Sequence, residues 1–149
     1  MIMIYTGLTN KAMKFSYRAH HGQTDSSGVP YVFHPFHLAE QMSDELSVCV
    51  ALLHDVVEDT SVTMEELEQE FPKEVTEAVR LLTRKKEMPY LDYIRPIREN
   101  PLARKVKLAD LEHNLDDSRL TNCKSITEEK RKAWRERYQK AKAILLEEK

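Results

Sequence analysis

Glycine is scarce: three residues in 149, which suits a helical chain better than a sheet, whose turns and bulges call on glycine. Cysteine is scarcer still. Cys49 and Cys123 are the only two, and Cys49 sits in an apolar run, so a disulfide framework is not expected. No stretch approaches the roughly 18 apolar residues of a membrane span. The opening MIMIYTGL has no basic segment and no apolar core of signal length. Charge of one sign is lacking too: the formal net charge is −2 and the pI about 6.3. Nothing general therefore attracts the chain to nucleic acid or to a membrane. These absences point to a soluble, cytoplasmic protein. Repeats, low-complexity tracts and linkers are also missing, and the length suits one domain over residues 1–149.

What the chain has is helical periodicity, and its densest apolar run ends in charge. Ser47-Val48-Cys49-Val50 leads into ALLHDVVEDT, Ala51 to Thr60. On one continuous helix His54, Asp55, Glu58 and Asp59 share an arc of roughly 140°. Leu52, Leu53, Val56 and Val57 cover most of the rest, as in a buried helix. Buried imidazole and carboxylate groups are costly unless paired or bound to metal. A core helix with a solvent-facing last turn explains any one of these residues. The His-Asp pair followed one turn later by Glu-Asp points to a metal site.

The remaining segments read as helices in turn. Thr9 or Asn10 caps a first one to about His21, with Ala12, Phe15 and Ala19 inside. GQTDSSGVPYVFHP, Gly22 to Pro35, is a long loop, which in a compact domain is functional or disordered; Tyr31 and Phe33 argue for an anchored one. Pro35 opens the next helix and leaves His34 at its cap, a rigid place from which to present a ligand or simply to cap. His20, His21, His37 and His113 carry no comparable signal. Ser43 or Asp44 starts the central helix, and Thr63 with Glu66 has capping-box spacing. Pro72 begins a helix with Val75, Ala78, Val79 and Leu82 inside. Arg84-Lys85-Lys86 forms a basic loop, solvated or placed to hold phosphate. Pro96 is expected to kink a helix that starts near Tyr90. Asn100-Pro101 opens another, where Lys107, Asp110 and Asn114 share a face. Taken alone, Asp110 is a surface carboxylate paired with Lys107. Ser125 and Glu128 cap a last helix whose Trp134, Tyr138, Ala141 and Leu145 form a core stripe. The sum is an all-α bundle of seven or eight helices.

Four motifs in order give the chain a family likeness. AHHGQ…GVPYVFHP is similar to AHxGQ…GxPYxxHP, ALLHDVVEDT to paired HD and ED boxes, and VKLADLEHN to KLADxxHN. Over Ala12 to Leu120 the sequence resembles the HD-domain phosphohydrolases. The closest likeness is to the hydrolase domain of the RelA/SpoT family in its small stand-alone form.

The resemblance implies a compact HD-domain helical bundle holding one divalent metal, usually manganese (Mn2+), on His34, His54, Asp55 and Asp110. It implies Glu58 and Asp59 as the catalytic acidic pair and Asn114 as a nucleotide contact. Lys107, Arg84 and Lys85 are the cationic candidates for substrate phosphates. The implied reaction removes pyrophosphate from the 3′ position of guanosine tetra- or pentaphosphate (ppGpp). Alternatives are another nucleotide or phosphate ester, such as a phosphorylated dinucleotide cofactor, and a non-catalytic regulatory module that binds a nucleotide. Alarmone synthesis is not expected. The residue types agree: mixed imidazole and carboxylate ligands suit manganese, iron or cobalt and leave positions open for water. Two positions depart from the pattern. Asp25 stands where many members carry a basic residue, so a polyphosphate should be repelled there and a basic replacement should tighten binding. Leu111-Glu112 stands where Arg-Leu is frequent, which removes another positive charge.

Overall fold

Asp44 starts the segment on which four other helices pack. Its side chain accepts from Ser47 N at 2.8 Å, capping α3, Glu45–Leu53; a cap of this kind contributes about 1 kcal/mol. Ser47 through Leu53 are all buried, so α3 is a core helix apolar on every side. Each large aliphatic side chain buried there contributes about 1.5–3 kcal/mol.

The computed structural model describes residues 2–120, 123 and 126–147. Before α3 lie α1, Gly7–His20, and α2, Phe33–Glu40. After it come α4, Val56–Asp59; α5, Met64–Glu70; α6, Lys73–Leu82; α7, Tyr90–Ile97; α8, Pro101–Asn114; and α9, Glu128–Leu146. Eight of these have seven residues or more, and α4 is a single turn. Among the described residues there is no strand, only an isolated bridge between Thr24 and Pro30. The all-α expectation holds. No helix among the described residues is long and apolar enough to cross a membrane. Cys49 and Cys123 are not joined in a disulfide.

Helices α1, α2, α6 and α8 pack on α3, and α9 closes over α7 and α8. The expected inner faces are buried: Val75, Ala78, Val79 and Leu82 on α6, and Ala141 and Leu145 on α9. Pro96 falls in the last turn of α7, one residue before its end, and so marks a terminus rather than a mid-helix kink. Other boundaries shift. Helix α1 begins before Thr9 because Thr6 is the cap: Thr6 Oγ1 accepts from Thr9 N at 3.1 Å, and Thr9 Oγ1 accepts from Thr6 N at 2.8 Å. Ser125 lies outside the described residues, and Thr127 caps α9 instead.

Two corrections bear on function. The apolar run is not one helix to Thr60, because α3 ends at Leu53 and α4 restarts at Val56. His54 and Asp55 form the break, with Asp55 at φ −107° and ψ −2°. Neighbours on a helix do not face each other, so only a break lets these two side chains converge. His34 is not a cap either. Helix α2 starts at Phe33 on a Val32 cap with no side-chain bond, which puts His34 and Pro35 in its first turn. A proline is tolerated there because first-turn amides have no intrahelical acceptor.

Candidate active site

Four side chains from three segments meet where α2, the α3–α4 break and α8 adjoin. His34 Nε2 lies 2.9 Å from Asp110 Oδ1 and 3.9 Å from Asp55 Oδ2. His54 Nε2 lies 2.9 Å from Asp55 Oδ2 and 3.7 Å from Asp110 Oδ1. Imidazole nitrogen and carboxylate oxygen thus alternate around a small ring. Asp55 is also grouped with Glu58 and Asp59, whose carboxylates point from α4 toward the same space.

Each member is held from behind. His54 Nδ1 lies 2.6 Å from Ala51 O, an atom that only accepts. That carbonyl keeps the ring proton on Nδ1 and turns the Nε2 lone pair inward. The hydroxyl of Tyr31 donates to Asp55. Asp110 accepts from Lys107 Nζ at 2.8 Å and from Asn114 Nδ2 at 3.1 Å. His34 Nδ1 meets His113 Nδ1 at 2.7 Å.

The ring fits a divalent cation on its own chemistry. His54 Nε2 is fully buried and has no hydrogen-bond partner, although Asp55 is close, because the two are not aligned for one. Such an orphaned lone pair is costly unless an ion takes it. Burial by itself would depress the His54 pKa, yet the carboxylates of Asp55 and Asp110 raise it well above the ordinary value. The site calls for positive charge.

Above the ring opens a cavity of about 500 Å³. Glu58 and Asp59 stand at its edge. Burial lifts both carboxyls; Asp59, with Asp55 and Glu58 beside it, is pushed up to about 6. Glu58 is also anchored, accepting from Arg84 N at 2.6 Å. Cations line the walls: Lys107, Arg84, Arg119 and Arg137. Arg137 lies over the Tyr90 ring at 4.3 Å, and Tyr90, Tyr93, Trp134 and Tyr138 form an aromatic side.

Of the expected site residues, His34, Asp55, Glu58, Asp59, Arg84, Lys107, Asp110 and Asn114 all line this cavity, with His54 just beneath. Lys85 does not: it is exposed, and only Arg84 of the basic loop turns inward. Even Arg84 is partly engaged, donating through Nε and Nη2 to Met88 O at 2.9 and 2.7 Å. The two departures from the family pattern also resolve. Leu111 is core, and Glu112 pairs with Lys142 on α9. Neither lines the cavity. Asp25 does, but its Oδ1 accepts from Ser27 N at 2.8 Å and Val29 N at 3.0 Å, folding the loop. Its Oδ2 lies 3.8 Å from Arg119 Nη2.

Several cavity residues escaped sequence reasoning. Trp134 and Tyr138 share a face with Ala141 and Leu145, but only the latter two are buried. Helical spacing finds a common face without saying whether core or cavity lies opposite. Arg119 and Arg137 carried no signal. His113 lies in the KLADLEHN box but gave no hint that its ring meets His34.

The class follows from fold and site together: the HD-domain description matches residues 12–143, and the chain belongs to that family. Among relatives, it is 33% identical over 123 residues to GTP pyrophosphokinase rsh of Brucella melitensis, covering 72% of this chain and 16% of that one. It is 39% identical over 114 residues to the bifunctional (p)ppGpp synthase/hydrolase SpoT of Escherichia coli, covering 65% and 16%. The chain therefore spans about 16% of the length of the curated relatives it matches. A solved structure, that of a metazoan ortholog of SpoT that hydrolyses ppGpp, superposes with a TM-score of 0.81 at 27% identity, covering 97% of this chain and 88% of that one.

Proposed function

We propose that the protein is a metal-dependent phosphohydrolase that releases pyrophosphate from the 3′ position of guanosine 3′,5′-bis(diphosphate). The observation that carries this reading is the ring of His34, His54, Asp55 and Asp110 at the foot of a cavity walled by cations and aromatic rings. The likeness to SpoT and to its metazoan ortholog supports the same substrate. Residues 1–149 are read as one domain, and a cytoplasmic location is proposed with it.

In this reading the four ring residues would hold one divalent cation; the mixed nitrogen and oxygen donors suit manganese, iron or cobalt, and the family likeness favours manganese. Bound there, the cation supplies Lewis acidity to a phosphoryl group and to water. Water adds across the bond between the 3′ oxygen and its phosphorus, giving guanosine 5′-diphosphate and pyrophosphate. Glu58 or Asp59 takes the proton that water loses and passes it to the departing 3′ oxygen, which leaves as the hydroxyl. Lys107, Arg84, Arg119 and Arg137 draw the phosphates in and offset their charge. Asn114, bonded to Asp110, faces the nucleotide. The retained acidic pair speaks against a purely regulatory module, which needs no proton acceptor.

A second substrate class is favoured by one observation. Asp25 and Asp116 add negative charge to the cavity wall, which a compact polyphosphate meets less well than an extended phosphorylated dinucleotide. Manganese-loaded protein incubated with a panel of nucleotides, dinucleotides and simple phosphate esters, with products separated by anion exchange, decides between them. Guanosine 3′,5′-bis(diphosphate) is expected to have the highest kcat/KM and to yield pyrophosphate. A faster dinucleotide reaction transfers the assignment, and inertness toward the whole panel ends it.

A further inference from the structure

The imidazole of His113 meets that of His34 edge to edge. Their Nδ1 atoms are 2.7 Å apart, the ring planes differ by 6°, and the centroids are 4.9 Å apart. That centroid separation is about the nitrogen separation plus one ring radius on each side. The contact therefore lies in the plane of both rings, as a hydrogen bond does, rather than face over face. Such a contact holds one proton, so one ring donates and the other accepts.

The far side of His34 decides which. Its Nε2 is the atom that faces Asp110 and Asp55. To give that lone pair to a cation, a neutral ring must carry its proton on Nδ1. His34 Nδ1 is then the donor and His113 Nδ1 the acceptor, with the His113 proton on Nε2. The ring of His37 stacks on His113 at 4.2 Å and 29°, holding the plane of the acceptor. The other imidazole of the site is oriented by the same principle, with the carbonyl of Ala51 at its Nδ1. One ring leans on a main-chain acceptor that no mutation removes. The other leans on a side chain.

We propose that His113 is a positioning residue: by accepting from His34 Nδ1 it fixes the tautomer and direction of that ring, and so sets the cation affinity of the site. This rests on His34 being a ligand, as proposed above. Among the described residues His113 is not in the group of side chains whose ligand atoms converge with His34, His54 and Asp110, so its part is indirect.

The test compares manganese affinity, by competition with a chelating dye, in wild type, His34→Ala, His113→Leu and His113→Asn, with thermal midpoints alongside. Asparagine places an accepting oxygen where His113 Nδ1 stands, whereas leucine fills the space and accepts nothing. His113→Leu is expected to weaken manganese binding by about 10- to 100-fold, the usual cost of losing an outer partner. His113→Asn should restore affinity to near the wild-type value. Nitrogen-15 histidine spectra of the zinc-loaded wild type should show the His113 proton on Nε2 and the His34 proton on Nδ1, protected from exchange. These spectra decide the matter even where the leucine variant does not fold. Affinity lost in His34→Ala but unchanged in His113→Leu overturns the positioning role alone. So does an asparagine variant as weak as leucine, or a proton on His113 Nδ1. Unchanged affinity in His34→Ala overturns the ligand assignment and this inference with it.

Discussion

Lys107 Nζ lies 2.8 Å from Asp110 Oδ2, one turn apart on α8, with both residues buried. The pair is not the surface ion pair that spacing alone allows. A surface pair contributes about 0–1 kcal/mol, but removing one partner of a buried pair costs about 3–5 kcal/mol. Lys107 therefore does structural work for the site by compensating the charge of Asp110. Lys107→Met is expected to lower stability strongly in metal-free protein and less after manganese is added, because a bound cation takes over part of that compensation. Urea midpoints with and without manganese check this, and equal losses in both conditions would contradict it.

The same pair gives a pH dependence. Burial alone would raise the Asp110 carboxyl; Lys107 and the neighbouring imidazoles overcome that and hold it well below its ordinary value. A depressed carboxyl stabilises the fold fully above its unfolded pKa of about 3.9, and the contribution is lost as pH falls through the folded value. Metal-free wild type should accordingly lose stability below about pH 4. Lys107→Met, lacking the largest cause of the depression, should show a shallower fall. Thermal midpoints across that range measure the difference.

Glu58 and Asp59 follow the ring by one turn of α4 and line the cavity. Replacing them together, Glu58→Gln with Asp59→Asn, should leave manganese affinity near normal and cut turnover by about two orders of magnitude or more. Calorimetry and steady-state kinetics on one preparation separate the two effects. A loss of metal in the double variant would make these carboxylates ligands.

Asp25 changes its meaning once the loop is seen. Two backbone amides bond to its Oδ1, so a basic replacement removes both bonds and adds a cation beside Arg119. Asp25→Arg should therefore raise KM for guanosine 3′,5′-bis(diphosphate), reversing what charge alone suggests. Asp25→Asn keeps an accepting oxygen and sheds the charge, and should lower KM by a few-fold. Both constants must be measured at one salt concentration, since screening shifts phosphate binding. A lower KM in Asp25→Arg would show that the loop tolerates the loss of its side-chain bonds.

The helices were legible because their signals are local. Asp44, Thr63 and Asn100 cap where side-chain chemistry says they should, and Val75, Ala78, Val79 and Leu82 face inward at helical spacing. His54 and Asp55 stood out in the apolar run itself, whereas His34 and Asp110 were joined to them only through motif likeness. Periodicity put His54 and Asp55 on one continuous helix, whereas their convergence needs the break between α3 and α4. No local pattern in the run records such a break. The same limit hid Trp134, Tyr138, Arg119 and Arg137, whose roles depend on what lies across the cavity. Thr6 was missed as a cap because its reciprocal partner is a threonine, not the usual Glu or Gln.

The central claim is that one cation on His34, His54, Asp55 and Asp110 makes this cavity hydrolytic. It is tested most directly by titrating manganese into chelator-stripped protein while following pyrophosphate release from guanosine 3′,5′-bis(diphosphate), in wild type and in Asp55→Asn. Release in wild type should rise from nothing to a plateau at one equivalent of metal per chain, and Asp55→Asn should stay near the baseline over the same range. Release that is independent of added metal, or an Asp55→Asn curve that matches wild type, would contradict the account.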